Sequence, residues 1–574
     1  MKLFQGVIPH WVLQYRPVWL AGDLSAGLVV ALMLVPQSMA YAIVSGLPPV
    51  TGLYASLLPS LVYAWFGSSS VQSVGTMAIT SVMMGTSLAS MRPASTEEAI
   101  AISAAVALMA GLVLTIASML RLGFLSTLIS RPVLSGFTSG SALMIALSQL
   151  RYLLGPEPSA STLLGMPLPQ INLNSVGVGL GSLAALWLAK RYAIDFFRTI
   201  GCRARLVDIL SKLLPFTVIV MASLIVAWFG MGDVRLVGEV PSGLPSLQWP
   251  GLRQWDSLLP TALSMALMVF LFGQSSSVAL GRRRGERILA DRELFALGAS
   301  NIAAAISGSF PVTGSISRSA VNFQAGANTQ LASVLSVLFL ALALASSTAW
   351  LSLLPMPALA AMIILAVVSM MEWGMLAEAW RVDRRDGLTC FVTAFGVIVL
   401  GFNEGIIAGL LLSMVFAIES LGLSGFWRAL RGKSYVSLTE ISSSFDVSSP
   451  NKGRSPIEVM SPTEAGSGIA SLNAYRVRLE GALLFANAET LCEAVQVRLQ
   501  SLTEKSHGEK TDLVIDLSAL TDLDLTAIQV LSELQGTLST HGFVMHWVMP
   551  NAALSARLGR EARLLALIAS RKLS

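Results

Sequence analysis

The stretch SFPVTGSISRSAVNFQAGANTQ, Ser309 to Gln330, lies between two apolar runs that are each long enough to enter a lipid bilayer. It holds one arginine, Arg318, with hydroxyl side chains around it at Thr313, Ser315, Ser317 and Ser319. An ionisable side chain at membrane depth costs roughly 2.5–3.5 kcal/mol on the mildest insertion scale, so it typically marks a substrate path. Pro311 and Gly314 interrupt the helix, and broken backbone is tolerated in a bilayer only where protein or water covers it. We therefore expect a functional site inside a membrane domain.

The composition is that of a membrane protein that also has a smaller soluble part. Of the 574 residues 54% are hydrophobic and 12% are charged, whereas soluble proteins average about a quarter charged residues. The three cysteines lie far apart in no metal-binding spacing, and the four histidines lie outside the apolar runs. We therefore expect the lipid bilayer as a partner, with no disulfide framework, metal, cofactor or nucleic acid. No cleaved signal is expected at the N-terminus.

About fourteen apolar segments, each near the length that spans a bilayer, follow one another from Leu20 to Phe426. The third and tenth, near 74–90 and 315–324, are short and polar, which predicts half-helices. Basic residues crowd the loops at 190–212, 282–292 and 381–385, and even numbers of spans separate these loops. The bias of basic loops toward the cytoplasm predicts a multi-pass membrane protein with both termini cytoplasmic.

The apolar segments contain an internal symmetry. Gln37 and Ser38 lie in the first segment and Gln274 and Ser275 in the eighth, and a glycine (Gly75 or Gly314) follows each glutamine after 38 or 40 positions. Spans 1 to 7 and 8 to 14 therefore read as two copies, and an odd number of spans per copy inverts the second. The sequence thus predicts a seven-plus-seven inverted repeat.

The repeat predicts an anion site where the two half-helices begin, near Thr76 and Ser317. A helix N-terminus carries roughly half a positive charge and several unpaired N–H groups, which suits an anion. Arg318 adds a full positive charge, with neutral donors nearby. The candidate anion-binding residues are Gln37, Tyr41, Thr76, Met77, Ala78, Gln274, Ser275, Ser315, Ile316, Ser317 and Arg318. The alternative is that Arg318 reaches an interface or caps carbonyl groups.

The character of the chain changes after residue 430, where the membrane domain 1–430 is predicted to end. Residues 431–472 are rich in Ser, Pro and Gly and predict a flexible linker. Residues 473–574 predict a cytoplasmic α/β domain, with strands at 475–479, 513–517 and 543–548. Its helices are expected near 488–501, 526–540 and 551–569.

Several motifs carry a family resemblance. They are GDLSAG at 22–27, VPQSMAYA at 35–42, GLPPVTGLYA at 46–55 and GSISRSAVN at 314–322. With them the chain closely resembles the SulP family of sulfate-permease anion transporters. The run LEGALLFANA at 479–488 resembles the opening of the STAS domain that follows the transporter in that family. The resemblance implies a uracil-permease-like fold whose spans 1, 3, 8 and 10 hold the anion between a core and a gate domain, usually in a homodimer.

The chain departs from the family pattern at three places. Many bacterial relatives carry a carboxylate where this chain has Gln274, so we expect uptake to respond little to a pH or sodium gradient. Many have Gly-Pro where this chain has Gly75-Thr76; the threonine either contacts substrate or softens the helix start. STAS domains related to anti-sigma-factor antagonists carry Asp-Ser-Ser-Gly at a helix start, with one serine phosphorylated, where this chain has Asp524-Leu525-Thr526-Ala527. Only Thr526 keeps a hydroxyl, so Asp524 and Thr526 are the candidate regulatory residues, with a plain helix cap as the alternative for Asp524.

These features favour a secondary transporter that moves a small anion, with sulfate preferred, by alternating access across a bacterial inner membrane. A bicarbonate, chloride or dicarboxylate exchanger or an uncoupled transporter is the alternative within the same class. An anion sensor or scaffold that signals to a cytoplasmic protein through the STAS domain is the alternative of another class; deletion of residues 470–574 would leave flux in a transporter only. An enzyme is not expected, because no nucleophile–base pair or metal cluster is visible.

Overall fold

The structure is a computed structural model, in which the following residues are described. They are 9–124, 130–155, 162–163, 166–167, 172–200, 204–238, 240–251, 255–284, 286, 288–346, 348–368, 371–372, 374–430, 436–439, 474–484, 488, 495, 511–540 and 543–548. The predicted helices 488–501 and 551–569 lie outside these residues, apart from two isolated positions of the first.

Helices dominate the first 430 residues. The helices of the first half are α1 (His10–Leu13), α2 (Leu20–Val44), α3 (Pro49–Tyr54), α4 (Leu58–Phe66), α5 (Ala78–Met91), α6 (Thr96–Met119), α7 (Arg131–Leu154), α8 (Leu173–Thr199) and α9 (Ala204–Trp228). Those of the second half are α10 (Trp255–Arg284), α11 (Ala290–Ile306), α12 (Ile316–Gln324), α13 (Leu331–Ala345), α14 (Ala349–Ser352), α15 (Met356–Val368), α16 (Met375–Val382), α17 (Arg384–Val399) and α18 (Phe402–Leu430). A 3₁₀ turn, Pro17–Trp19, precedes α2.

Several of these helices suit a bilayer. Five in the described part of the chain are long and apolar enough to cross it, namely Pro17–Val44, Thr96–Met119, Arg131–Leu154, Leu173–Thr199 and Trp255–Gly281. Shorter apolar helices lie at Ala78–Met91, Leu213–Trp228, Leu331–Ala345 and Met356–Val368. The two predicted half-helices are α5, with 14 residues, and α12, with 9 residues.

The chain divides into two compact units. In the unit that holds most of the membrane helices, α6 packs on α11, α2 on α13 and α4 on α11. Two-residue strands precede the half-helices: β1 (Val74–Gly75) leads to α5 and β4 (Thr313–Gly314) leads to α12. A small hairpin of β2 (Thr162–Leu163) and β3 (Met166–Pro167) lies between α7 and α8.

The second unit contains the first turns of α7, helices α16 to α18 and the α/β domain. That domain has a sheet of β5 (Val436–Thr439), β6 (Ala474–Leu483), β7 (Thr511–Leu523) and β8 (Phe543–Val548), with helix α19 (Leu525–Thr540). The order is β5-β6-β7-β8; β5 is antiparallel to β6, and the other pairs are parallel. Strand β5 lies inside the predicted linker, because the alternating Val436-Ser-Leu-Thr439 pairs with Arg476–Leu479.

Candidate anion site

Strands β1 and β4 bring the starts of the two half-helices together. They pair antiparallel, with Val74 opposite Gly314 and Gly75 opposite Thr313. An antiparallel pair formed by equivalent segments is what two inverted copies produce. Thr313 Oγ1 donates to Val269 O of α10 at 2.7 Å, which fixes β4 to that helix.

Hydrogen bonds join helix α12 to the segment just before β1. Ser319 Oγ accepts from Ser73 N at 2.9 Å, and Ser315 N donates to Ser73 O at 3.2 Å. Asn322 Nδ2 donates to Val71 O at 2.9 Å. The polar residues of this helix thus satisfy the backbone of a segment that has no helix of its own, as a bilayer requires.

The two half-helices begin differently. The residue before α5 is Met77, in an extended conformation (φ −137°, ψ 147°), and no side chain caps this helix. Helix α12 begins after Ser315, whose Oγ accepts from Arg318 N at 3.5 Å, the limit of a hydrogen bond. The first N–H groups of any helix have no partner within the helix. The start of α5 therefore presents backbone donors with no side-chain acceptor.

Arg318 lies between these two starts. Its side chain is 0% exposed. The guanidinium donates to Ser73 Oγ at 2.9 Å, to Thr76 O at 3.1 Å and to Ser73 O at 3.4 Å. No carboxylate of the described residues forms an ion pair with it. Arg318 thus caps carbonyl groups, the alternative that the sequence left open, and its buried positive charge has no carboxylate counter-ion among the described residues.

A glycine makes this placement possible. A Cβ at Gly75 would lie 3.0 Å from a terminal nitrogen of Arg318, closer than side chains normally approach. The guanidinium therefore packs directly on the backbone of β1. Any other residue at position 75 would push the guanidinium away from the start of α5.

Helices α2 and α10 supply the remaining predicted polar side chains, and both pack against α5 and α12. Gln37 Nε2 donates to Tyr41 Oη at 3.1 Å, and Tyr41 is close enough to Arg318 to interact with its charge. Gln37 Oε1 and Gln274 Oε1 are buried without a hydrogen-bond partner. Because the two ends of an amide are assigned rather than seen, either glutamine can turn its NH₂ group to a ligand. Ser275 is half-buried on α10.

The other predicted residues differ in exposure. Thr76, Met77 and Ala78 are buried, and Thr76 Oγ1 lies 3.4 Å from Ser38 Oγ. Ile316 is 42% exposed, and Ser317 is exposed beside Ser315, with 3.3 Å between their Oγ atoms. The most exposed of the predicted residues thus lie at the start of α12, and Gln37 and Ser275 are half-buried.

The sequence prediction missed Ser73 and Asn322. These residues hold together the crossing, the place where β1 and β4 pair and where α5 and α12 begin. Both lie in the quoted or symmetry-related motifs, one turn or less from predicted residues. The signal available was their spacing: Ser315, Ser319 and Asn322 recur at helical intervals and so share one face of α12. That face meets β1.

The candidate regulatory residues lie at a different place, the junction of α19 with the membrane helices of the second unit. Asp524 Oδ1 accepts from Ala527 N at 2.7 Å and so caps α19. Thr526 Oγ1 accepts from Arg131 N, at the first residue of α7, at 2.9 Å. Asp386 of α17 accepts from Leu525 N at 2.9 Å. A modifying enzyme would reach the buried Thr526 hydroxyl only after this junction opens.

Comparison with known families gives two matches along the chain. Residues 20–393 match the Sulfate permease family, and residues 470–560 match the STAS domain. The first match covers the whole crossing described above.

Several relatives match most of this chain. "Sulfate transporter 4.1, chloroplastic" of Arabidopsis thaliana is 29% identical over 96% of this chain and 78% of its own length. "Probable sulfate transporter Rv1739c" of Mycobacterium tuberculosis is 29% identical over 92% of this chain and 89% of its own length. "Solute carrier family 26 member 6" of Homo sapiens is 30% identical over 71% of this chain and 56% of its own length.

Solved structures have the same fold. The overall structure of SLC26A9 aligns with a TM-score of 0.66 and 22% identity, over 98% of this chain and 89% of that one. The transmembrane domain of a cyanobacterial bicarbonate transporter, BicA, aligns with a TM-score of 0.58 and 23% identity, over 69% of this chain and 98% of that one. The predicted fold class, a polytopic helical membrane protein with a STAS domain, is confirmed.

Proposed function

Because the chain belongs to the sulfate permease family, we propose that it is a secondary transporter that carries sulfate across the membrane by alternating access. The observation that carries the proposal is the meeting of the starts of α5 and α12 around the buried charge of Arg318, which has no carboxylate partner among the described residues. Two of the relatives named above are called sulfate transporters, which favours sulfate over the other small anions.

The site binds a tetrahedral dianion through donors from both repeats. Backbone N–H groups at Ala78 and Ser317 point along their helices toward the anion, each helix contributing roughly half a positive charge. Arg318 has five N–H groups; three contacts hold the crossing, and the remaining N–H directions serve the anion. The hydroxyls of Ser315 and Ser317 and the amides of Gln37 and Gln274 complete the shell.

Alternating access follows from the inverted repeat. Each half-helix is fixed to its own strand, and the strands pair with each other, so the crossing moves as one piece. Rocking of this piece against the remaining helices exposes the anion to one side and then to the other. The buried charge of Arg318 makes an empty crossing unfavourable, so the anion itself supplies the counter-ion.

The surroundings follow from the sequence. The basic loops at 190–212, 282–292 and 381–385 support cytoplasmic termini, and the proposed location is a bacterial inner membrane. The outward-facing apolar side chains of α8, among them Trp187 and Leu188, are exposed and contact lipid. The homodimer that the family resemblance implies, and a protein partner for the STAS domain, belong to the same proposal.

The test is a competition assay on the purified protein in proteoliposomes. Uptake of radiolabelled sulfate is measured with excess unlabelled sulfate, bicarbonate, chloride, nitrate or a dicarboxylate outside. We expect sulfate to compete most strongly. A protein that takes up no sulfate but takes up labelled bicarbonate, chloride or dicarboxylate contradicts the assignment of the substrate, and one without any flux contradicts transport.

A further inference from the structure

Residues 309–314 join α11 to α12 without a helix of their own. Ser309 is 1% exposed and Val312 is 0% exposed, so water does not reach this backbone. A buried backbone N–H or C=O group in a membrane needs a partner within the protein. Ser309 N donates to Ala304 O at 2.9 Å, and strand β4 pairs with β1. Val312 lies between these two contacts and needs partners of its own.

One side chain provides both partners of Val312. Asn301, in the last two turns of α11, is 0% exposed. Its Oδ1 accepts from Val312 N at 2.9 Å, and its Nδ2 donates to Val312 O at 2.9 Å. Two residues that exchange both hydrogen bonds in this way are what an antiparallel sheet contains. The amide of Asn301 thus takes the place of a strand residue beside the segment that leads into β4.

The orientation of the Asn301 amide follows from its partners. Val312 N can only donate and Val312 O can only accept, so the amide oxygen must face the first and the amide nitrogen the second. The nitrogen also donates to Leu297 O at 2.8 Å, one turn earlier on α11. A turned amide would place its NH₂ group against an N–H group and its oxygen against two carbonyl groups. The three hydrogen bonds therefore hold the side chain in one position.

The surroundings of Asn301 on α11 do not explain an asparagine. The residues three and four positions away on either side are apolar and buried. In the described part of the chain no charged side chain forms a hydrogen bond with the amide. Asparagine is not favoured inside a helix, because its side chain competes with the backbone for hydrogen bonds. The pairing with Val312 accounts for the residue better than α11 does.

Val312 lies directly before the part of α12 that the anion site uses. Strand β4 follows it, Ser315 is the residue before the first turn of α12, and Arg318 lies in that turn. Only the two residues of β4 separate Val312 from Ser315, so no loop can absorb a shift. A displacement of Val312 is therefore passed to the start of α12 and to Arg318.

The equivalent residue of the first repeat is held differently. Ser73 precedes β1 as Val312 precedes β4, and residues of α12 hold it: Ser319 Oγ accepts from Ser73 N, and Arg318 donates to Ser73 O. Strand β1 is thus attached to α12. Strand β4 is attached through Asn301 to α11, a longer helix that packs on α4 and α6. Asn301 therefore links the crossing to the surrounding helices.

We propose that Asn301 is a positioning residue of the anion site. Its amide holds Val312 and, through β4, the start of α12, where the backbone N–H groups, the Ser317 hydroxyl and Arg318 meet the anion. Asn301 itself does not touch the anion. The inference rests on the proposed transport function and adds a residue outside the shell named there. Because coupling is reciprocal, a bound anion also stabilises the pairing of Asn301 with Val312.

The main test replaces the amide by a carboxyl group of the same shape. In Asn301→Asp a protonated carboxyl still accepts from Val312 N and donates to Val312 O. An ionised carboxyl instead turns a charged oxygen toward Val312 O and Leu297 O. The pairing is therefore intact at low pH and broken at high pH.

The Kd of radiolabelled sulfate is measured on the purified full-length protein from about pH 5 to about pH 9. Each value is compared with that of the wild type at the same pH. Asn301→Asp should bind sulfate about as tightly as the wild type at the acidic end. At the alkaline end it should bind at least about tenfold more weakly, because two hydrogen bonds are lost. Asn301→Ala, which cannot titrate, should bind weakly at every pH.

Thermal unfolding of the same samples separates positioning from a purely structural role. Loss of the hydrogen bonds lowers the melting temperature in either case. A purely structural residue would leave the Kd of the folded protein at the wild-type value. A lowered melting temperature with a wild-type Kd at every pH would therefore overturn the inference.

Asn172→Asp is the matched control. Asn172 makes the same two kinds of hydrogen bond at the start of α8: its Oδ1 accepts from Ser175 N at 2.9 Å, and its Nδ2 donates to Asp233 O at 3.1 Å. Asn172→Asp is expected to keep the wild-type Kd for sulfate at every pH. The same alkaline loss in this variant would contradict the inference, since any introduced carboxyl would then have that effect.

A measurement on the wild type covers the case in which neither variant of Asn301 folds. Hydrogen exchange at Val312 N is followed by mass spectrometry of overlapping peptides, with and without sulfate. With sulfate at about a hundred times its Kd, exchange at Val312 should slow by at least about tenfold. Unchanged exchange at Val312 in saturating sulfate would overturn the inference.

The two proposals fail in different ways. A wild type that binds sulfate while Asn301→Asp matches its Kd at every pH overturns the role of Asn301 alone. A wild type that binds no sulfate overturns the proposed function, and the role of Asn301 with it.

Discussion

Helix N-termini meet at two places in the described part of this protein. The two places differ in whether side chains accept hydrogen bonds from the first N–H groups of the helices. At the α19 junction, side chains accept from them: Thr526 from Arg131 N, Asp386 from Leu525 N and Asp524 from Ala527 N. At the crossing of β1 and β4, Met77 provides no side-chain cap for α5. Ser315 caps α12 only through a hydrogen bond of 3.5 Å from Arg318 N to its Oγ.

The difference separates a structural contact from a binding site. A capped N-terminus is complete without a ligand, and the cap adds about 0.5–2 kcal/mol of stability. An uncapped N-terminus beside a buried arginine keeps its donors for an anion. Substitutions can remove the charged donor at the uncapped site, add a cap to the start of α5, remove a cap at the α19 junction, or remove a single hydroxyl.

The largest effect is expected for Arg318→Ala. Loss of the charge removes the strongest donor of the site, and hydrogen bonds to charged groups are worth about 1.5–3 kcal/mol, roughly tenfold to more than hundredfold in affinity. Radiolabelled sulfate uptake in proteoliposomes should fall to background. Because Arg318 also holds β1, Arg318→Gln, which keeps an amide donor for Thr76 O, is measured beside it.

Arg292→Ala is the control for Arg318. Arg292 lies in the same unit and donates to a backbone carbonyl, but it lies in the first turn of α11. Its loss should leave sulfate affinity unchanged. Undiminished uptake by Arg318→Ala or Arg318→Gln would refute the site.

Met77→Asp would give helix α5 a carboxylate N-cap, like the one that Asp524 gives α19. The extended backbone at Met77 suits an N-cap residue. A carboxylate there would occupy the donors of α5 and repel a second anion, so sulfate affinity should fall more than about tenfold while thermal stability does not fall. The series Met77→Leu, Met77→Ser and Met77→Asp, followed by sulfate binding and thermal unfolding, should weaken binding in that order. Equal affinities across the series would mean that the start of α5 does not face the anion.

Ser317→Ala should have a smaller effect. A neutral hydrogen bond contributes about 0.5–1.5 kcal/mol, which corresponds to about two- to tenfold in affinity. The Michaelis constant for sulfate should rise by that factor with little change in stability, because Ser317 is exposed at the start of α12. A loss as large as that of Arg318 would point instead to a role in folding.

Thr526→Val should leave sulfate affinity unchanged and lower stability. Valine keeps the shape of threonine but provides no acceptor for Arg131 N. Thermal unfolding of the full chain should report a loss of about 0.5–2 kcal/mol, and hydrogen exchange at the first turn of α7 should quicken. A changed sulfate affinity would show that the junction also acts on the binding site.

Much of the crossing could be predicted from the sequence, because breaks in apolar segments have local causes. Pro311, Gly314 and the hydroxyls around Arg318 interrupt the helix, and the predicted starts near Thr76 and Ser317 lie within two residues of Ala78 and Ile316. The second copy of the pattern around Gln37 pointed to the pairing of the two starts. The anion-binding roles of these residues stay predictions.

Other features could not be read from local sequence. Glu293 stands beside Arg292 in what reads as the end of a basic loop, and its burial depends on Tyr63, 230 positions away. Strand β5 was missed because its four residues lie in a Ser-rich region and form a strand only by pairing with β6. The direction of the Arg318 side chain depends on the missing side chain at Gly75.

A structure of the protein with selenate tests the central claim most directly. Selenate has the shape and charge of sulfate, and selenium can be located by its anomalous scattering. We predict one selenium peak at the crossing, within hydrogen-bond distance of the backbone N–H groups at Ala78 and Ser317 and next to the Arg318 guanidinium. A protein that transports selenate but shows its bound selenium elsewhere, with the crossing empty, would contradict the account.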